Sequence, residues 1–135
     1  MTNTETINWH DYKPGDVQTK LHRLFRHSEE VDNMSVQIGE VATFPGVRAD
    51  KAQVVKIAEE YGEIYSAWER LQQSERAHKY AHTPYEEIKY AKRLLVDECA
   101  DCITAICNLL AALGVDDMSG AMAECEQRNR ERGRL

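Results

Sequence analysis

Two carboxylate pairs stand at helical spacing in this chain: Glu60-Tyr61-Gly62-Glu63, with Glu59 just ahead, and Glu98-Cys99-Ala100-Asp101, with Asp97 just ahead. Residues at i and i+3 lie on one face of a helix, a turn apart. If the pairs converge, four carboxylates form a donor set for a hard divalent cation, and such an ion is a common handle for a polyphosphate.

The second pair has the more telling surroundings. Ala91, Leu94, Glu98, Asp101, Ala105, Asn108 and Ala112 alternate by threes and fours and define one seam of a helix. Two acids and the amide of Asn108 thus take places where apolar residues belong, which makes all three candidates for contact with a metal or a substrate. From Cys102 to Leu113 the only polar side chains are Thr104 and Asn108. With its cysteines counted as small hydrophobes, this helix is expected to be buried nearly all round. An unpaired carboxylate in such a place costs on the order of several kcal/mol, so a metal or cationic partner is expected.

The first pair lies beside two apolar stripes. Val54, Ala58, Tyr61, Tyr65 and Trp68 form one, from which Glu59, Glu60 and Glu63 project as a solvated face would. Ile57, Glu60, Ile64, Ala67 and Leu71 form a second, with Glu60 as its one charged member. On the spacing, Tyr65 and Trp68 are expected in the core, although a nucleobase could stack on such a pair.

These motifs require long helices to hold them. Asp16 suits the N-cap of a short helix to about Arg26, and Ser28 precedes a possible helix from Glu29 to Val41, ended near Phe44-Pro45-Gly46. A long helix is expected from about Ala49 to Gln73 or beyond. Another is expected from a Thr83-Pro84 start to a stop at Gly114, and a last one from about Met118 to Glu131 after Asp116 or Asp117. No strand pattern competes. The expected fold is all-α, a helical bundle of 135 residues in which 1–48 form a segment of unknown role and 49–135 carry the acid motifs.

Composition narrows the function classes. The longest apolar run is too short to span a bilayer. A net charge of −6 opposes non-specific nucleic-acid binding. Against this acidic background Arg128, Arg130, Arg132 and Arg134 cluster with Asn129, a patch sized for one polyphosphate rather than a duplex. Four cysteines within predicted helices, and no signal peptide, lead us to expect a cytoplasmic protein with reduced thiols. Cys99-x-x-Cys102 lacks the second pair a zinc site needs, so helix packing explains it better.

With E-E-x-x-E at Glu59-Glu60-Tyr61-Gly62-Glu63 and E-x-x-D at Glu98-Cys99-Ala100-Asp101, the chain resembles the MazG-like all-α nucleoside triphosphate pyrophosphohydrolases. Their C-terminal Asn with an Arg three residues on is matched by Asn129 and Arg132, so the resemblance runs from about Ala49 to Arg132. Thirty-four residues separate Glu63 from Glu98, more than the family's compact spacing, so Gln72 to Thr83 is expected as an insertion or an extended loop. Cys125 stands where the family often has a basic residue, and Arg128 or Lys92 is the candidate substitute.

The resemblance implies a Mg²⁺-dependent enzyme, with Mn²⁺ as an alternative ion, that cleaves a nucleoside triphosphate between the α- and β-phosphates. Glu60, Glu63, Glu98 and Asp101 would hold the metal, Glu59 is a candidate to orient the attacking water, and Arg128, Asn129 and Arg132 would grip phosphate oxygens. It further implies a homodimer or tetramer. Two other readings compete, of which the residues fit only the second. A di-iron carboxylate bundle needs two Glu-x-x-His motifs, and only Glu75-Arg76-Ala77-His78 is present. A non-catalytic helical interaction module would leave the acids solvated and paired with the C-terminal arginines.

Overall fold

Asp50 begins the first long helix. Its backbone is extended, and its Oδ1 accepts the Gln53 N–H at 3.1 Å, satisfying one of the donors that a helix start leaves open. In the computed structural model, which describes residues 35–135, helix α1 then spans Lys51–Ala81, α2 spans Tyr85–Ala112 and α3 spans Ser119–Glu131. The chain divides into two units, Met1–Val36 and Gln37–Leu135, and the three helices belong to the second. The helix expected from Asp16 to about Arg26 lies outside the described residues.

The all-α expectation holds among the described residues: they contain no strand, and the two long helices pack against each other. Their pairing is antiparallel, since Leu71 meets Ile88 and Ala91 at one end while the Gln53 side chain reaches the Ala105 carbonyl at the other.

The stretch from Gln72 to Thr83, expected as an insertion or an extended loop, is helix as far as Ala81, so the loop alternative is corrected. It contains no Gly or Pro, and its Gln, Glu, Arg and Ala residues propagate a helix readily. Only His82, Thr83 and Pro84 make the turn. His82 caps α1 in the left-handed region, with φ +54°, and its N–H donates to the Ala77 carbonyl. His78 Nδ1–H donates to the Thr83 carbonyl at 2.6 Å, and its ring sits 5.7 Å from that of Tyr85. Because an L-residue is strained in this conformation, His82→Gly is expected to raise unfolding stability by about 1 kcal/mol. Urea denaturation reads this out, and an unchanged or lower midpoint would show that the turn does not hold His82 in that conformation.

The Glu29 to Val41 helix is corrected over its described part. Residues 35–41 are not helical: Gly39 has φ +79°, and Val36 and Ile38 are exposed, so nothing tertiary rescues a helix that the glycine interrupts. The turn at Pro45-Gly46 is present. Helix α2 ends as expected just before Gly114, where the Val115 N–H returns to the Leu110 carbonyl at 2.9 Å. Pro84 is the N-cap of α2 rather than its first helical residue. Asp117 Oδ1 accepts the Ser119 N–H at 2.8 Å and opens α3.

Burial sorts the stripes. Ile57, Glu60, Ile64, Ala67 and Leu71 are half-buried or buried against α2, whereas Tyr65 and Trp68 are 56% and 49% exposed beside an exposed Val54, Ala58 and Tyr61. The placement of Tyr65 and Trp68 in a core is therefore corrected. Likewise α2 is not buried all round. Between Cys102 and Leu113 only Ala105 and Asn108 are buried, because α1 is the one helix packed extensively against it among the described residues. The apolar cluster of Leu71, Ile88 and Ala91, with Leu95 packed on it, sits towards the turn. Helix α3 has no buried residue and no extensive packing against either long helix.

Candidate metal centre

Away from the turn, the seams of α1 and α2 bring their charged members together. Glu60 comes from α1 and Glu98 and Asp101 from α2, and one oxygen of each lies within 4.8 Å of the others. Glu60 and Glu98 are half-buried, and Asp101 is exposed, so the group opens to solvent on the Asp101 side. The donors are all carboxylate oxygens, and the open side leaves room for water ligands. Both features fit a hard divalent ion such as Mg²⁺ or Mn²⁺ and not a soft one.

The electrostatics follow from this crowding. Partial burial, and then the charges of Asp101, Glu63, Glu60 and Asp97, hold the Glu98 carboxyl above the usual glutamate range. On α1, Lys56 Nζ lies 2.8 Å from Glu60 Oε1 and 3.9 Å from Glu59 Oε2. Asp97 is also raised, by burial, with the Arg93 guanidinium opposing.

A raised carboxyl means that the folded protein binds the Glu98 proton more tightly than the unfolded chain does. The associated stability is present below the ordinary value of 4.5 and is lost as pH rises through the higher folded value. In chelator, Glu98→Gln is therefore expected to melt further above wild type at pH 7.5 than at pH 4.5, with Asp97 common to both proteins. A pH-independent difference in melting temperature would contradict this account of Glu98.

The remaining candidates fall in different places. Glu63 is exposed and lies outside the close trio, yet near enough to act on Glu98. Glu59 is exposed and shares Lys56 with Glu60. Lys92 is half-buried on α2, about 9 Å along the helix from Glu98. Asn108 is 3% exposed, about 10 Å along α2 from Asp101, and its Oδ1 accepts the Phe44 N–H at 2.8 Å. That bond ties the segment ahead of α1 to α2, which gives the amide a structural reason to sit in the seam.

The C-terminal candidates bond among themselves. Asn129 Nδ2 contacts Cys125 Sγ at 3.8 Å, and Asn129 Oδ1 accepts from Arg134 at 3.3 Å. Arg130 pairs with Glu126 at 3.1 Å, while Arg128 is exposed on α3 and Arg132 forms its C-cap. Cys99 and Cys102 are half-buried, and burial, followed by Cys102 and Glu98, pushes the Cys99 thiol up, as suits packing rather than reactivity.

Two contributors were missed by the sequence reading. Lys56 was visible as a residue four positions before Glu60, the spacing of a helical ion pair. Gln53, whose Nε2 donates to the Ala105 carbonyl at 2.9 Å, carried no signal, because a glutamine near a helix start has many possible uses. Among the described residues no helix is long and apolar enough to cross a membrane. No known family model, curated protein or solved structure matches the chain.

Proposed function

We propose that the protein is a Mg²⁺-dependent nucleoside triphosphate pyrophosphohydrolase, cleaving the α-β phosphate bond to give a nucleoside monophosphate and pyrophosphate. The observation that carries this reading is the convergence of Glu60, Glu98 and Asp101 from two helices within 4.8 Å. It draws further support from the motif resemblance around those acids. A bound divalent ion supplies charge neutralisation at the phosphates and lowers the pKa of its water. The chain's own part is to fix three carboxylates across the paired helices, with Glu63 at the edge and Glu59 available to orient water. Arg128, Asn129 and Arg132 are proposed as phosphate contacts, which requires α3 to approach the trio in the working protein.

The proposal includes self-association as a homodimer or tetramer. Support lies in the apolar surface that α1 and α2 leave open, including Tyr61, Tyr65 and Trp68 on α1 and Ile106 and Leu113 on α2. That same surface favours the second reading, a non-catalytic helical interaction module, in which a partner helix covers the aromatic stripe.

The deciding experiment is pyrophosphate release from a panel of natural and modified nucleoside triphosphates, with and without Mg²⁺, beside the Glu63→Ala and Asp101→Ala variants. Metal-dependent release lost in both variants supports the enzyme. A folded, Mg²⁺-supplied protein that releases no pyrophosphate from any of them turns the balance to the interaction module.

A further inference from the structure

Lys56 places a cation on one member of the carboxylate trio, Glu60. Its ammonium is 2.8 Å from Glu60 Oε1, and the charges of Glu59 and Asp101 also reach it. The two partners differ in exposure: the Glu60 side chain is 15% exposed and the Lys56 side chain 53% exposed. The carboxylate is thus held in the seam by packing, while the lysine lies over it on a flexible stem. A divalent ion bound by Glu60, Glu98 and Asp101 must take an oxygen of Glu60, and it would then sit close to the ammonium. Like charges at that separation repel, and exposed lysine–carboxylate pairs are weak enough to exchange.

Resting on the metal-centre reading above, we infer that Lys56 is the exchangeable counter-ion of this site. It neutralises Glu60 in the metal-free protein, swings away as the divalent ion enters, and by this competition sets the ion's affinity. Its position supports that role. Lys56 is one turn before Glu60 on the same helix face, so rotation of its side chain alone frees the carboxylate, with no change in the pairing of α1 and α2.

The test is Mn²⁺ titration of the full chain, followed by electron paramagnetic resonance, for wild type, Lys56→Met, Lys56→Arg and Asp101→Asn, with circular dichroism to confirm the helices. Lys56→Met is expected to bind Mn²⁺ about three- to tenfold more tightly than wild type. Lys56→Arg, which keeps the charge, should stay within about twofold of wild type, and Asp101→Asn should lose most binding. A lysine that merely braced the helix would move affinity the other way, because its loss would loosen Glu60. Unchanged or weaker binding in Lys56→Met, with wild type binding normally and Asp101→Asn impaired, overturns the counter-ion role and leaves the metal centre standing. Wild type that takes up no Mn²⁺ overturns both.

Discussion

Asp101→Ala is expected to lower pyrophosphate release by about a thousandfold or more while the melting temperature stays level or rises. The asymmetry follows from where Asp101 sits. Its side chain belongs to an exposed residue, so removing it leaves no cavity, and it ends the repulsion that Asp101 exerts on Glu98. What would be lost is one of the three oxygens proposed to hold the ion. Steady-state release, a Mn²⁺ titration and a thermal melt on the same preparation check all three consequences. Turnover within a few fold of wild type would remove Asp101 from the metal set, and with it the main support for the enzyme. A large fall in melting temperature would instead assign Asp101 a packing role that its exposure does not suggest.

Asn108→Ala should behave in the opposite way. The amide is buried, and its Oδ1 is the acceptor for the Phe44 N–H, a bond spanning 64 residues of sequence. Removing it strands a part-buried donor and leaves a small void, at a cost of about 2–3 kcal/mol. Phe44 precedes α1 and the Pro45-Gly46 turn, so the loss should also speed hydrogen exchange at the Phe44 amide. Turnover per folded molecule should be unaffected. Urea denaturation and amide exchange measure the first two effects. A stable variant with a raised KM for triphosphate would return Asn108 to the substrate site, where the sequence reading had placed it.

The contrast between these two residues shows how much the seam could tell. Periodicity located Glu98, Asp101 and Asn108 on one stripe of α2 and marked all three as polar intruders. It could not say which of them a packing contact accounts for, because Asn108 depends on Phe44, a partner in an irregular segment. The same limit applies on α1. Two apolar stripes lie side by side there, and local spacing does not decide which one faces α2. The chosen stripe is the one whose charged member, Glu60, meets Glu98 and Asp101.

The C-terminal end of α2 was more legible, because its cause is local: Gly114 follows the last turn. Of the two readings of Gln72 to Thr83, an insertion or an extended loop, the loop fails for an instructive reason. The residues there favour helix, and the loop was inferred from the spacing of a resembled family. Lengthening both long helices beyond the acids satisfies the longer spacing without a loop. At Gly39 the error ran the other way, since the run from Glu29 to Val41 was read through a glycine that takes a positive φ.

The split of the trio between two helices would tie the binding of a metal ion to helix register. The acids lie between two fixed points: the Leu71–Ile88 packing on the turn side and the Gln53–Ala105 hydrogen bond on the other. A slip of α1 past α2 by one helical turn is about 5.4 Å, more than the 4.8 Å within which the three oxygens gather. An ion held by all three carboxylates would therefore act as a gauge that accepts one alignment of the helices and rejects its neighbours. Anything that shifts that alignment, whether a partner on the aromatic stripe or a change at the turn, would be felt at the ion as a loss of a ligand.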